Sequence, residues 1–265
     1  MARRRLDAEL VRRGLARSRE EASELIDAGR VKVLGALATK AATQVDAGDP
    51  VLVVRADNDP GYVSRGAFKL AGALDAWPDL VVQGRRCLDA GASTGGFTDV
   101  LLRRGAAQVV AVDVGYGQLA WSLQTHADVV VIDRTNVRTL TPESIGGPVD
   151  LVVGDLSFIS LTMVLPALIA CSAPDADMAL MVKPQFEVGR DLLGAGGVVR
   201  EPELRAAAVT TIAESAFARG WGVRGVTASP LPGPSGNVEY FVWLRRGSPA
   251  LESADLERAV REGPS

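Results

Sequence analysis

Apolar positions follow two different rhythms along the chain, and the rhythm changes near residue 60. In the first stretch Leu6, Leu10, Val11 and Leu15 recur at helical spacing around a stop at Gly14. Ser18 and Glu21 form a capping box that opens a second helix through Ala22, Leu25 and Ile26, and Gly29 ends it. Val31 and Val33 then alternate with Lys32 ahead of a turn at Gly35. Val45 and Val51 to Val54 flank the turn Ala47, Gly48, Asp49, Pro50. The pattern predicts two short helices and a small sheet in a domain over 1–56. The polar, helix-breaking run Asp57, Asn58, Asp59, Pro60, Gly61 places a linker at 57–64.

From Arg86 the rhythm is that of strands alternating with helices. Cys87 to Ala90, Val109 to Val112, Val129 to Ile132, Leu151 to Val153, Met178 to Val182 and Val223 to Val226 predict a doubly wound parallel sheet in an α/β domain over 65–248. Val238 to Leu244 follows the Pro230, Pro232, Gly233, Pro234 turn too closely for a helical crossover, so it is expected to pair antiparallel at or near the edge. The most apolar stretch, Ile159 to Ala173, is broken by Ser160, Thr162, Pro166 and Ser172. It falls short of the roughly 20 residues of a membrane span and reads as a buried helix. Residues 249–265 read as a polar tail with a short, fraying helix around Leu256 and Val260.

The chain has 265 residues, 47% of them hydrophobic and 23% charged, which is ordinary for one large and one small globular domain. Cys87 and Cys171 both sit in apolar runs, so buried free thiols in a reducing compartment are expected rather than a disulfide. His126 is the single histidine, which leaves no two-histidine metal site and no serine-type triad. Arg3, Arg4 and Arg5 lead straight into Asp7 and Glu9, not into an apolar core, so no signal peptide is read there and a cytoplasmic protein is expected. Residues 1–40 hold ten Lys or Arg against six Asp or Glu, whereas the whole chain is −3. A basic front end on an acidic protein suits contact with nucleic acid phosphates, although charged helix faces are also commonplace.

The most informative segment is Cys87 to Thr98, where an apolar run breaks into a glycine-rich turn led by an acid. It predicts a strand, a tight loop and a helix start, with Gly91, Gly95 and Gly96 admitting a close ligand and Ser93 or Thr94 capping the helix. Asp89 at the strand end repels a pyrophosphate and suits the ammonium and sulfonium of S-adenosylmethionine. Asp113, closing the run Val109 to Val112, is placed for ribose hydroxyls. The competing reading is an ordinary strand-to-helix turn. Loop, Asp89 and Asp113 in this order favour a methyltransferase.

Four further charges stand where strands begin or end. Lys69 lies in the segment Ser64 to Leu70, Asp155 and Lys183 each follow an apolar strand, and Glu239 opens the last one. In an open α/β sheet ligands bind beyond the carboxyl ends of the strands, so Asp155 and Lys183 are expected to face one crevice with the glycine loop. The alternative, for each alone, is a surface charge.

On these residues the chain resembles the TlyA family of ribosomal RNA 2′-O-methyltransferases, whose catalytic domain is similar to the FtsJ type. Its front end, with Arg5, Leu6, Asp7 and then Gly14 to Arg19, resembles the small RNA-binding domain named after ribosomal protein S-four. Leu34 and Ala67 depart from the family pattern, which has asparagine and glycine there. The resemblance implies a Rossmann-like class I methyltransferase sheet, S-adenosylmethionine as cofactor, and a catalytic tetrad of Lys69, Asp155, Lys183 and Glu239. It implies cofactor contacts from Asp89, the loop Gly91, Ala92, Ser93, Thr94, Gly95, Gly96 and Phe97, Asp113 at ribose and Asp133 near adenine. RNA contacts are expected from Arg3, Arg4, Arg5, Arg17, Arg19 and Arg65. The implied substrate is cytidine ribose in 16S and 23S ribosomal RNA within ribosomal subunits, with no metal and no membrane, and with a monomer favoured.

A ribose 2′-hydroxyl is a poor nucleophile, so the enzyme must align it with the sulfonium methyl and help remove a proton; Lys183 is expected as that base. Three other readings compete: a non-catalytic RNA-binding or ribosome assembly factor, a membrane-active haemolysin, and a pseudouridine synthase sharing the front domain. The intact glycine loop argues against the first and third. The absence of a long apolar segment argues against the second.

Overall fold

Short helices need tertiary contacts to persist, and in the front of the molecule those contacts come from small strands. In this computed structural model, which describes residues 3–16, 18–27, 29–54, 60–233 and 236–264, one unit runs to Gly61 and a second starts at Tyr62. The first contains β1 (Arg4–Arg5), α1 (Leu6–Arg12), α2 (Arg19–Asp27), β2 (Val31–Val33), β3 (Ala36–Leu37), β4 (Gln44–Val45) and β5 (Val51–Val53). Leu6, Leu10, Ala22, Ile26, Val31 and Val45 form its core.

Ser18 Oγ accepts from Glu21 N at 3.1 Å, as the capping box requires. The single sheet expected here is two: β1 pairs with β4, and β2 lies between β3 and β5. Arg4 and Arg5 are therefore strand residues, a pairing invisible to an alternation rule applied over two residues. Leu34 sits at φ +51° and Gly35 at φ +83° in the tight turn between β2 and β3.

The second unit opens with α3 (Gly66–Ala76), β6 (Arg86–Ala90), α4 (Gly96–Arg103), β7 (Gln108–Val112), α5 (Trp121–Gln124), β8 (Val129–Ile132), β9 (Val149–Gly154) and α6 (Leu161–Ala170). It continues through β10 (Ser172–Val182), α7 (Pro184–Glu187), α8 (Pro202–Phe217), β11 (Trp221–Ala228), β12 (Tyr240–Arg246) and α9 (Ser253–Glu262). The strand order is β11-β12-β10-β9-β6-β7-β8. β6 to β10 pair in parallel, and β12 is antiparallel to both β10 and β11. The last strand thus enters one place in from the edge, and β11, expected within the parallel set, hydrogen-bonds only to its antiparallel neighbour.

Side chains alternate between the two faces of a strand. One face of this sheet carries Leu88, Val110, Val152, Leu180 and Val242 under α6, α8 and α9. The other carries Cys87, Val109, Val153, Met181 and Phe241 under α3 and α4.

Two expectations about boundaries are corrected. Tyr62 to Ser64, drawn in the linker, belong to the second unit. The Tyr62 ring meets Phe68 edge-on at 5.3 Å, and Val63 N donates to Asp99 at 2.8 Å; residues 57–59 lie outside the described residues. The segment 249–265 is not a polar tail. It supplies α9, whose Ala259 is buried and whose Leu256 and Val260 pack on the core. The short helix expected around Leu256 and Val260 is thus present, and it is docked on the core where fraying was expected.

Candidate active site

Period-two alternation delivers the charged groups to one place. Asp155 lies two residues beyond Val153, Lys183 two beyond Met181, and Glu239 two before Phe241, all on the face that α3 covers. α3 brings Lys69 to the same face, on a helix anchored by buried Ala67, Leu70, Ala73 and Leu74. Asp155 N donates to Ala90 O at 3.1 Å, so the chain beyond β9 still runs beside the glycine loop.

The four groups form two ion pairs. Lys69 Nζ lies 2.5 Å from Glu239 Oε2, with both side chains buried. Lys183 Nζ lies 2.5 Å from Asp155 Oδ1, an approach too oblique for a hydrogen bond, and donates properly to Ser157 Oγ at 3.0 Å. Gln185 Nε2 donates to Glu239 Oε1 at 3.2 Å, so both oxygens of Glu239 are held. Ser157 and Gln185 were missed from sequence. The spacing Lys183–Gln185 and Asp155–Ser157, two residues on from a flagged charge, is the signal that reaches them.

A cleft of about 400 Å³, large enough for a nucleoside-sized ligand, opens beside Lys183. It is lined by Gly91, Ser93, Asp113, Asn136, Asp155 and Phe158, among others. Asp113 accepts from Ser93 N at 2.8 Å and from Gly115 N at 2.7 Å, which fixes its carboxylate at the cleft wall. Phe158 is 90% exposed with φ +63°, an unusual backbone for a bulky residue, and its ring lies 5.1 Å from that of Phe186.

Asp89 is fully buried. Thr98 Oγ1 donates to its Oδ2 at 2.6 Å, while Oδ1 has no partner, and burial above all raises its pKa to about 7. A carboxylate with an unsatisfied buried oxygen and two further acids, Asp113 and Asp155, at the loop suits a cationic ligand and repels a pyrophosphate. These residues fit S-adenosylmethionine. Burial pushes the Cys87 thiol up to about 12, which removes it as a nucleophile.

Several members of the expected cofactor set also pack against the protein. Phe97 packs on Phe241, ring centroids 5.9 Å apart, in the core. Ala92 is buried among Ala111, Leu119 and Leu123. A Cβ at Gly91, whose φ is +88°, falls 2.7 Å from Asp155 O, and side chains at Gly95 and Gly96 run into Leu119 and Ala67. The glycines thus admit neighbouring protein. Neither Ser93 nor Thr94 caps α4; its N-cap is Gly95, in a left-handed conformation with no side-chain bond. Asp133 is not at the cleft wall and accepts from Gly117 N at 2.8 Å, pinning the loop after β7.

In the first unit Arg3 pairs with Asp46 at 3.4 Å, Arg4 is exposed, and Arg5 and Arg19 both pair with Asp7. Arg17 lies outside the described residues. Arg65 is exposed at the start of α3 and belongs to the second unit. His126 Nδ1 accepts from Asp128 N in a surface loop. Among the described residues no helix is long and apolar enough to cross a membrane.

Residues 62–246 match the FtsJ-like methyltransferase family and residues 4–51 match the S4 domain. The chain is 62% identical over 270 residues to the 16S/23S rRNA (cytidine-2'-O)-methyltransferase TlyA of Mycobacterium tuberculosis, covering 100% of both chains. It is 35% identical over 238 residues to Hemolysin A of Brachyspira hyodysenteriae, covering 89% of this chain and 98% of that one. Among solved structures it is similar to a hemolysin-named protein of Streptococcus thermophilus at 34% identity and TM-score 0.78, covering 99% of this chain and 96% of that one.

Proposed function

The chain belongs to the FtsJ-like methyltransferase family, with an S4 domain ahead of the catalytic unit, and from that premise we propose that it methylates the ribose 2′-oxygen of cytidine in 16S and 23S ribosomal RNA. The observation that carries this reading is the meeting of the Lys183–Asp155 and Lys69–Glu239 pairs on one sheet face, beside a cleft walled by Asp113 and the glycine loop.

S-adenosylmethionine, when bound, supplies a methyl group already activated on a sulfonium. Asp113 is the residue to hold its ribose diol, while Asp155, also at the cleft wall, provides the negative charge that a cationic cofactor needs. The protein's part is then to orient the 2′-hydroxyl and to remove its proton. Lys183 Nζ, in its neutral amine form, takes that proton and becomes the ammonium that pairs with Asp155, while Ser157 fixes where the nitrogen points. Lys69, held by Glu239 and through it by Gln185, steadies the substrate oxygen on the other side.

Magnitudes rank these contributions. Orientation supplies about 7–11 kcal/mol and general-base help of 100- to 10,000-fold about 3–5 kcal/mol, so positioning dominates. The S4 domain supplies the grip on RNA through its exposed arginines, which makes binding salt-dependent.

The test is methyl transfer from labelled S-adenosylmethionine to ribosomal subunits and to naked 16S and 23S RNA, followed by digestion to nucleosides. The expected product is labelled 2′-O-methylcytidine. Label on a base, or none on either RNA despite measurable cofactor binding, rejects the reading.

A further inference from the structure

One carboxylate in the first unit is buried where a surface acid is ordinarily found. Asp7, 3% exposed, accepts from Arg5 Nε and Nη2 at 3.1 and 2.9 Å and from Arg19 Nε and Nη2 at 3.2 and 2.8 Å. Its carboxyl is held well below the usual range, first by Arg5 and also by Arg19. Both arginine side chains nonetheless remain open to solvent, at 46% and 60%. Each guanidinium turns its Nε and Nη2 edge inward to the same acid, and Nη1 of neither bonds Asp7.

Glu9 provides the contrast. It clasps Arg12 and Arg13, but Arg13 is only 18% exposed and donates onward to the carbonyls of Asp49, Asp46 and Ala47. That arginine closes the turn between β4 and β5. Among the described residues nothing comparable draws Arg5 or Arg19 inward beyond Asp7.

We propose that Asp7 is a positioning residue that holds Arg5 and Arg19 side by side as one preformed fork for adjacent phosphates of the RNA backbone. The inference rests on the reading of the S4 domain as the RNA grip. Long cationic side chains lose rotamer freedom when they bind, and a buried acid that fixes them beforehand removes that loss from the binding step. Arginine suits the role because its planar group bonds an acid along one edge while offering donors along another.

The test compares RNA binding by the full chain carrying Asp7→Asn, Arg5→Gln, Arg19→Gln or Arg19→Lys, with 23S ribosomal RNA as probe across a salt series. Removing a negative charge strengthens RNA binding if charge alone matters, so the two accounts differ in sign. The fork requires Asp7→Asn to weaken binding several-fold and to lower the salt slope toward that of the double variant Arg5→Gln/Arg19→Gln, a drop of about 1.4 for two phosphates on single strands.

Asp7→Asn affinity equal to or tighter than wild type, with an unchanged melting curve, overturns the fork. Should Asp7→Asn fail to fold, Arg19→Lys decides. It keeps the charge but not the two-bond grip, so it must bind as weakly as Arg19→Gln, and wild-type affinity overturns the proposal. If Arg5→Gln and Arg19→Gln themselves leave affinity and slope unchanged, it is the RNA-grip reading that fails.

Discussion

Lys69 Nζ and Glu239 Oε2 meet at 2.5 Å across 170 residues of sequence. The contact ties the first helix of the catalytic unit to the strand that enters the sheet last, so the site is complete only when the whole unit has folded. Removing one partner of a buried pair leaves a charge uncompensated, at about 3–5 kcal/mol. Lys69→Met and Glu239→Gln are each expected to lower the melting temperature and to abolish methylation. The double variant should recover stability without activity. Additive losses in thermal denaturation contradict the coupling.

Asp89 makes stability depend on pH. Its folded pKa of about 7 stands above the ordinary carboxylate value, so the native state binds the extra proton and stability falls as pH rises from about 4 to 7. The expected loss is roughly 4 kcal/mol over that window, at 1.4 kcal/mol per pKa unit. Asp89→Asn should flatten this component. The check is the difference in unfolding free energy between wild type and variant at pH 5 and pH 8; a difference that does not change with pH refutes it.

Gly91 lines the cleft and is also hemmed in by protein. Gly91→Ala puts a Cβ 2.7 Å from the Asp155 carbonyl in a left-handed conformation that alanine resists, so the segment bearing Asp155 must shift. Methylation is expected to fall at least tenfold at saturating cofactor, because misplacement of about 1 Å costs on the order of 100-fold. Full activity with an unchanged melting curve contradicts the close approach.

Leu34 holds a left-handed conformation at φ +51° while 65% exposed, so it has strain and little burial to set against it. Leu34→Asn is expected to stabilise the first unit by up to about 1 kcal/mol, because asparagine adopts this conformation more readily. Denaturant unfolding of the full chain followed by a probe in the first unit measures it, and no gain removes the strain argument.

The sequence carried the strands of the catalytic unit because each is an apolar run, and several end abruptly in a charge, as at Val153 to Asp155 and Val182 to Lys183. The abrupt ends brought Asp155 and Lys183 into view, while Glu239 stands just before the last strand and Lys69, on α3, was reached through the family resemblance. Which acid meets which lysine was not legible, since pairing across a sheet is set by strand order. The packing of Phe97 on Phe241 and of Gly95 and Gly96 on Leu119 and Ala67 was not legible either, because a loop motif does not distinguish a cofactor from a neighbouring helix. The split of the front sheet into two was not legible, because strands of two residues leave almost no periodic trace.

The central claim is that Lys183 removes the 2′-hydroxyl proton in a site the rest of the chain aligns. The most direct measurement is single-turnover methylation of ribosomal RNA by wild type and Lys183→Ala at saturating cofactor, with cofactor and RNA affinities determined for both. The account predicts a rate lower by about 100- to 10,000-fold with both affinities retained. A Lys183→Ala rate equal to wild type contradicts it.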